Sequence, residues 1–164
     1  MKRVIVMRHA KSDWSGTATT DHDRILNKRG RSSATALGNW LREIDVIPDT
    51  VLCSSAMRTR ETFVRLDLPD AELDITTTRD LYLASEDQIL SALQRAKGAC
   101  VLIVGHNPGI GMFAANILGT AYPHPQFPLY PTGATLVADF DITTWADATW
   151  KKAIARHFTV PRDL

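Results

Sequence analysis

Three short runs of mostly apolar residues limit the fold of this chain more than any other feature. They span residues 4–7, 50–53 and 99–104 and are rich in β-branched side chains. Such runs are typical of strands that are covered on both faces, because a strand with one wet face alternates polar and apolar residues. Segments of helical period separate the runs, so we predict a parallel sheet with right-handed helical crossovers.

Capping signals locate the first two helices. Asn27 follows a leucine and precedes apolar residues at helical spacing, which predicts a helix over residues 28–44. Either Ser54 or Ser55 is expected to cap a second helix that begins at Ala56. Between this helix and the next one, residues 73–76 are predicted to form a third, short strand.

The second half of the chain carries two further helix signals. Ser85 begins a capping-box pattern, and the helix that follows should end at Gly98. Asn107 as N-cap, with Pro108 at the first helical position, predicts another helix that extends to about residue 118. The chain therefore alternates strand and helix over most of its length.

The last third of the chain departs from this alternation. Residues 119–133 contain four prolines, which predicts a stiff connector without regular structure that forms a wall of a pocket. Residues 134–140 and 149–158 are predicted as an antiparallel hairpin at a sheet edge. The expected fold is therefore a single α/β domain over residues 1–164, a three-layer sandwich whose mostly parallel sheet has an antiparallel edge.

Charge and hydropathy exclude several classes of partner. The 164 residues include 19 Lys plus Arg and 18 Asp plus Glu, a net charge of +1. No broad field is expected to attract nucleic acid or an anionic membrane. No apolar run approaches the roughly 18 residues of a membrane span, and the segment before the first strand is too short for a signal peptide, so we expect a cytoplasmic location.

Polar residues follow each of the three apolar runs. If the strands are parallel neighbours, Arg8, His9, Arg58 and His106 converge at one edge of the sheet, where α/β folds bind their ligands. Two arginines present forks of donors that match phosphate oxygens, and the helix that follows Asn107 adds backbone amides. The pattern predicts a phosphate site that includes all five residues.

The surroundings of the histidines indicate their roles. Neighbouring arginines disfavour the imidazolium form and lower the pKa of His9, which is then neutral and able to attack phosphorus. His106 is expected to donate a hydrogen bond to a phosphoryl oxygen. Alone, the Arg8–His9 pair would be ordinary loop residues after a strand, and His106 would be a helix-start histidine bonded to backbone.

The remaining polar residues near these motifs are assigned smaller roles. Ser12, Arg24 and Asp80 are expected as accessory residues of the pocket. The cluster at residues 21–23 is interpreted as a polar loop rather than a metal site, because adjacent loop residues rarely chelate one ion and no further ligand stands at a suitable spacing.

Five motifs occur in an order that is typical of one family. They occupy residues 8–14, 26–30, 54–58, 105–109 and 131–134. Together they resemble the histidine phosphatase superfamily, also called phosphoglycerate mutase-like, and within it the SixA-type phosphohistidine phosphatases. This resemblance implies that His9 is the phosphorylated nucleophile, that Arg8, Arg58 and His106 complete the phosphate pocket, and that the protein is a monomer without metal or organic cofactor.

One departure from the family pattern bears on the substrate. Many members carry a glutamate in mid-chain that protonates an alkoxide leaving group, but the matching residues 79–84 contain none. Loss of such an acid costs about 10²- to 10⁴-fold in rate. Imidazole can leave neutral if its remote nitrogen is protonated, so we predict a phosphohistidine-bearing protein, such as a phosphotransfer or carrier domain, as the partner.

Two alternatives remain open. The chain could be a phosphatase of small phosphate monoesters that uses a spare carboxylate as the acid; the candidates are Asp13, Asp21, Asp23 and Glu86. It could also be a phosphoryl-binding module without catalysis, although binding alone requires cations rather than a nucleophile like His9.

Overall fold

A computed structural model describes residues 1–69 and 72–164. In these ranges the chain forms one six-stranded sheet and four α-helices. The strands are β1 (Lys2–Arg8), β2 (Thr50–Ser54), β3 (Asp74–Thr78), β4 (Cys100–Gly105), β5 (Thr135–Phe140) and β6 (Ile154–Thr159). The helices are α1 (Lys28–Glu43), α2 (Met57–Arg65), α3 (Glu86–Gln94) and α4 (Gly109–Ile117).

The sheet has the strand order β3-β2-β4-β1-β5-β6. Its first four strands are parallel neighbours, whereas β5 pairs antiparallel with both β1 and β6. The prediction of a mostly parallel sheet with an antiparallel edge is confirmed. Because β2, β4 and β1 are adjacent and parallel, the residues that follow all three strands meet at one edge.

Alternate residues of β1 enter two separate cores. Val4 and Val6 belong to the core beneath α3 and α4, whereas Ile5 and Met7 belong to the core beneath α1 and α2. All four side chains are fully buried. The central strand is therefore covered on both faces, as its uninterrupted apolar sequence predicts, and the three-layer sandwich is confirmed.

The predicted serine cap of α2 is wrong. The N-cap is Ala56, which has no side-chain acceptor. The two preceding hydroxyls bond histidines instead: the Oγ of Ser54 lies 2.7 Å from Nε2 of His106, and the Oγ of Ser55 lies 2.8 Å from Nε2 of His22. The Ser54 hydroxyl still accepts from the amide of Ala56 at 3.3 Å, so tertiary partners compete with the local role that the sequence favours.

The predicted start of α4 is also wrong by one residue, since Pro108 is the N-cap and the helix begins at Gly109. The side chain of Asn107 still bonds this helix, because its Oδ1 accepts from the amide of Gly111 at 3.1 Å. Its Nδ2 donates to the carbonyl of Tyr130 at 3.0 Å. Asn107 therefore joins α4 to the proline-rich connector.

The connector over residues 119–133 carries neither helix nor strand, as the prolines predict. It is nevertheless held firmly, because the fully buried Tyr130 donates its hydroxyl to the carbonyl of Val6. The antiparallel hairpin is also confirmed, although its second strand begins at Ile154 rather than at residue 149. No helix in the described ranges has the length and apolar character that crossing a membrane requires.

Candidate active site

Two histidines face each other at the carboxyl edge of the sheet. His9 follows β1 and His106 follows β4, and the two strands pair in parallel register up to Arg8 and Gly105. The ring centroids lie 5.3 Å apart. The side chains are 6% and 3% exposed, so the pair forms the buried base of the candidate site.

The environment of His9 fixes its tautomer. Nδ1 lies 2.6 Å from the carbonyl oxygen of Ala10. Since a carbonyl oxygen only accepts hydrogen bonds, Nδ1 carries the proton and Nε2 keeps its lone pair. The amide of Ala10 donates in turn to the Oγ1 of Thr62 at 3.0 Å, which fixes this segment against α2.

His9 is also kept neutral. Burial lowers the pKa of His9 to about 3, and the positive charges of Arg58 and Arg8 act in the same direction, while the bond to the Ala10 carbonyl opposes them. A neutral imidazole with a free Nε2 is the form that attacks phosphorus.

His106 has an unused ring nitrogen. Its Nε2 bonds the buried hydroxyl of Ser54, whereas its buried Nδ1 has no partner among the described residues. Burial, reinforced by the charge of Arg58, lowers the pKa of His106 to about 3. A buried ring nitrogen without a partner is uncommon, and an oxygen of a bound phosphoryl group would satisfy it.

Arg8 and Arg58 complete a four-residue cluster with His9 and His106. The Nη1 of Arg8 donates to the Tyr130 carbonyl at 3.2 Å, and the Nη1 of Arg58 donates to the Asp21 carbonyl at 2.8 Å. The Nε atom of each guanidinium is buried and has no partner in the described part of the chain. Burial and the charge of Arg58 both lower the pKa of Arg8, which is consistent with two cations at one site.

Helix α2 buries Arg58 on a polar face. It buries its polar residues Arg58, Thr59 and Thr62, whereas the apolar Val64 is 70% exposed. The cation in the first turn opposes the helix dipole, so its place has no benefit for the helix itself. Pairing with an anion explains this place, and the Asp21 carboxylate is one such partner.

Asp21 lies at the centre of the groups around Arg58. Its Oδ2 accepts from Nη2 of Arg58 at 3.0 Å and from the hydroxyl of Tyr82, and its Oδ1 accepts from Nη2 of Arg24 at 2.9 Å. The hydroxyl of Tyr82 and the two arginines hold the pKa of Asp21 well below its ordinary value. Asp21 is therefore a carboxylate, unsuited to donate a proton.

Two predicted accessory residues, Ser12 and Arg24, are connected to the cluster by Asp21. Arg24 donates through Nη1 to the hydroxyl of the buried Ser12, and its guanidinium stacks 3.7 Å above the ring of Trp14. Ser12 and Arg24 thus reach the candidate site through Asp21, and any direct contact with a ligand stays a prediction.

Two further predicted site residues, Asp80 and Asn107, direct their side chains away from the cluster or lie outside it. Asp80 is exposed and lines a groove of about 660 Å³ between α3 and the outer strands, which none of the four clustered residues borders. Asn107 directs its side-chain amide toward the carbonyls of Leu129 and Tyr130. A role for the Asn107 side chain in phosphate binding stays a prediction.

Sequence reasoning missed several neighbours of the cluster. Tyr82, whose ring lies 5.4 Å from that of His106, occupies the stretch in which we looked only for an acid. Ser54 was assigned to a helix cap, and Thr62 was not assigned at all. The polar cluster at residues 21–23 was the available signal for Asp21, but nothing in the chain showed that it faces Arg58.

The buried neutral histidines make stability depend on pH. In the unfolded chain both rings bind protons below their ordinary pKa of 6.5, whereas in the fold His9 and His106 remain neutral down to about pH 3. Because the unfolded state binds more protons in this window, we expect the free energy of unfolding to fall as the pH falls from 6.5 toward 3. Thermal melts of the protein and of His106→Gln between pH 7 and pH 4 test this. An equal pH dependence in both proteins would contradict it.

No group of three or more His, Cys, Asp or Glu side chains in the described ranges is arranged to hold a metal ion. The cluster at residues 21–23 forms other contacts: His22 bonds Ser55, and Asp23 accepts from the hydroxyl of Thr20 at 3.0 Å. These contacts agree with its interpretation as a polar loop.

The sequence of this chain matches a known protein family. The family model described as histidine phosphatase superfamily (branch 1) matches residues 4–82, a range that includes Arg8, His9 and Arg58. An uncharacterized protein of Mycobacterium tuberculosis (strain CDC 1551 / Oshkosh) is 32% identical over 163 residues, which cover 95% of this chain and 100% of that protein.

Two similar proteins carry a functional description. The phosphohistidine phosphatase SixA of Escherichia coli (strain K12) is 28% identical over 156 residues, 91% of this chain and 92% of that one. A solved structure from Nakamurella multipartitia, whose assignment as phosphohistidine phosphatase SixA is itself a proposal, has a TM-score of 0.85 and 28% identity, and the match covers 98% of this chain and 96% of that one. Because this structural match covers 98% of the chain, the fold that positions the cluster is shared.

Proposed function

Because this chain belongs to the histidine phosphatase superfamily, we propose that it removes phosphoryl groups from protein phosphohistidine through a covalent intermediate on His9. Arg8, Arg58 and His106 bind the phosphoryl oxygens in this proposal. The observation that carries it is the buried, neutral His9. Among the described residues its Nε2 has no hydrogen-bond partner, and neither has the Nε donor of Arg8 or of Arg58 beside it.

In the first step, Nε2 of His9 attacks phosphorus and the bond between phosphorus and the substrate nitrogen breaks. The bonding pair goes to the substrate ring, which leaves as neutral imidazole if its other nitrogen carries a proton. His9 keeps its Nδ1 proton, and the hydrogen bond from Nδ1–H to the Ala10 carbonyl stabilises the positive charge that forms on the ring. The two arginines and His106 hold the three transferred oxygens.

In the second step, water attacks the phosphorus of the intermediate. The bond to Nε2 breaks and its electron pair returns to His9, which is again neutral. The oxygen and both hydrogens of the water leave with the phosphate, so no separate base is required for the balance. His9 starts the next cycle in the tautomer that the Ala10 carbonyl already selects.

The contacts of the four carboxylates considered as acids favour phosphohistidine over phosphate esters. Among the carboxylates weighed as acids, Asp21 contacts the cluster, and its pKa is held well below the ordinary value. In the described structure Asp13 bonds Ser15, Asp23 bonds Thr20 and Glu86 bonds Asn116. An alkoxide would leave this site without a proton, whereas imidazole does not need one from the enzyme.

Exposed apolar side chains beside the cluster support a protein as the substrate. Trp14 is 81% exposed and stacks on Arg24, Leu129 is 65% exposed and precedes Tyr130, and Leu83 is 55% exposed. Leu83 also has a φ of 52°, a conformation that non-glycine residues seldom adopt. In this proposal a bound protein substrate covers these three apolar side chains.

The substrate preference is directly measurable. We expect kcat/KM for a phosphohistidine protein to exceed that for any member of a panel of sugar phosphates by about 10²-fold or more, because the esters lack a proton donor. Phosphate release from both substrate classes should be measured with the same enzyme preparation. Equal or better turnover of a sugar phosphate would instead establish the small-molecule ester phosphatase.

A further inference from the structure

Asp21 lies between the buried Arg58 and solvent. In-line displacement places the leaving group opposite the nucleophile, and His9 is at the buried base. The opposite side is therefore the mouth. Arg58 is 3% exposed, but the Asp21 carboxylate that it binds is 44% exposed, so this carboxylate extends from the phosphate ligands toward solvent.

The carboxylate is held in place and retains acceptor capacity. Arg58, Arg24 and the hydroxyl of Tyr82 donate three hydrogen bonds to its two oxygens. An ionised carboxylate offers about four acceptor positions, so one more donor can bind. The ring of Tyr82, 5.4 Å from that of His106, connects this carboxylate to the base of the site.

For imidazole to leave as a neutral ring, its remote nitrogen must carry a proton, and a carboxylate such as Asp21 would favour that form. The ring leaves neutral only when its remote nitrogen is protonated while the bond to phosphorus breaks. On the enzyme's own ring, the Ala10 carbonyl holds the corresponding N–H of His9. A carboxylate beside the substrate ring would do the same and would favour the protonated form, because a nearby negative charge stabilises the imidazolium.

We propose that Asp21 accepts a hydrogen bond from the remote ring N–H of the substrate phosphohistidine and thereby selects phosphohistidine over phosphate esters. This assignment rests on the proposed function and adds to it the residue that recognises the leaving group. An ester oxygen has no second ring nitrogen, so it gains nothing from this carboxylate. Asp21 thus acts on the leaving group, in addition to its ion pair with Arg58.

The test compares two leaving groups in Asp21→Asn. One substrate is a phosphohistidine peptide, and the other is p-nitrophenyl phosphate, whose leaving group needs no proton. We expect the ratio of kcat/KM for the peptide to kcat/KM for the ester to fall about 10- to 100-fold, the usual effect of losing a hydrogen bond to a charged group. The alkaline limb of the kcat profile on the peptide should move to lower pH, because the bound ring loses its carboxylate.

Asp23→Asn is the matched control, since Asp23 lies on the same loop and bonds Thr20 rather than the arginines. Its variant should keep the wild-type ratio. Equal losses on both substrates in Asp21→Asn, with no change in the alkaline limb, would assign Asp21 only to positioning Arg58 and overturn the proposal. If the wild-type enzyme hydrolysed the ester but not the peptide, the proposed function itself would fail, which is a separate result.

Discussion

His9→Ala is expected to lower turnover by at least about 10⁴-fold and to abolish the phosphoenzyme, because loss of a nucleophile removes the covalent route entirely. His106 is not expected to replace His9, since Nε2 of His106 bonds Ser54 and its Nδ1 is assigned to a phosphoryl oxygen. Rapid quench of wild-type enzyme with radiolabelled phosphohistidine protein should give acid-labile label on His9. The variant should give none.

His124→Ala provides the matched control for this labelling. His124 is partly exposed and bonds Asp163 at 2.8 Å, and it has no contact with the clustered residues in the described structure. Its variant should label as the wild type does. Label on any residue other than His9, or an unchanged amount of label in His9→Ala, would refute the assignment of the nucleophile.

Arg58→Lys should be the second most damaging change, with kcat/KM lower by about 10³-fold on every substrate, at the upper end of what one lost transition-state donor costs. Lysine keeps the charge but lacks the planar guanidinium. In Arg58 that group contacts Asp21 through Nη1 and Nη2, and its Nε can donate to a phosphate oxygen. The effect should appear with p-nitrophenyl phosphate as well as with phosphohistidine, because both present the same phosphoryl group. Steady-state kinetics on the two substrates measure it.

The same helix offers a control for this substitution. Arg60 is exposed, and its contact is with the sulfur of Met57 rather than with any clustered residue. Arg60→Lys should therefore retain wild-type kinetics, and both variants should have similar melting temperatures. If Arg58→Lys lost less than about tenfold, a phosphate-binding role for this guanidinium would be untenable.

The sequence was informative where the backbone alone determines position. Consecutive apolar residues predicted buried parallel strands, and parallel neighbours must end at the same edge. His9 and His106 follow such strands directly, so their approach across almost a hundred residues was predictable. Arg58 was harder, since its position depends on which side of α2 is buried, and its prediction rested on its place shortly after the second apolar run.

The remaining features depend on side-chain contacts that no local pattern encodes. Asp21 belongs to an irregular loop, and its pairing with Arg58 depends on how that loop crosses the site. Ser54 and Ser55 were predicted as caps because hydroxyls favour helix starts, but histidines from other segments compete for them. Asp80 was selected for its chemistry, yet the turn that contains it directs Tyr82 toward the cluster instead.

The buried hydroxyl of Tyr130 links catalysis to the interior of the protein. It bonds the carbonyl of Val6, while the carbonyl of the same tyrosine accepts from Arg8 two residues further along β1. One residue of the connector thus spans from the middle of a core strand to a candidate phosphate ligand. Substitutions that shift Val6 should consequently alter the orientation of Arg8, so that interior packing defects would appear as kinetic defects before the protein unfolds.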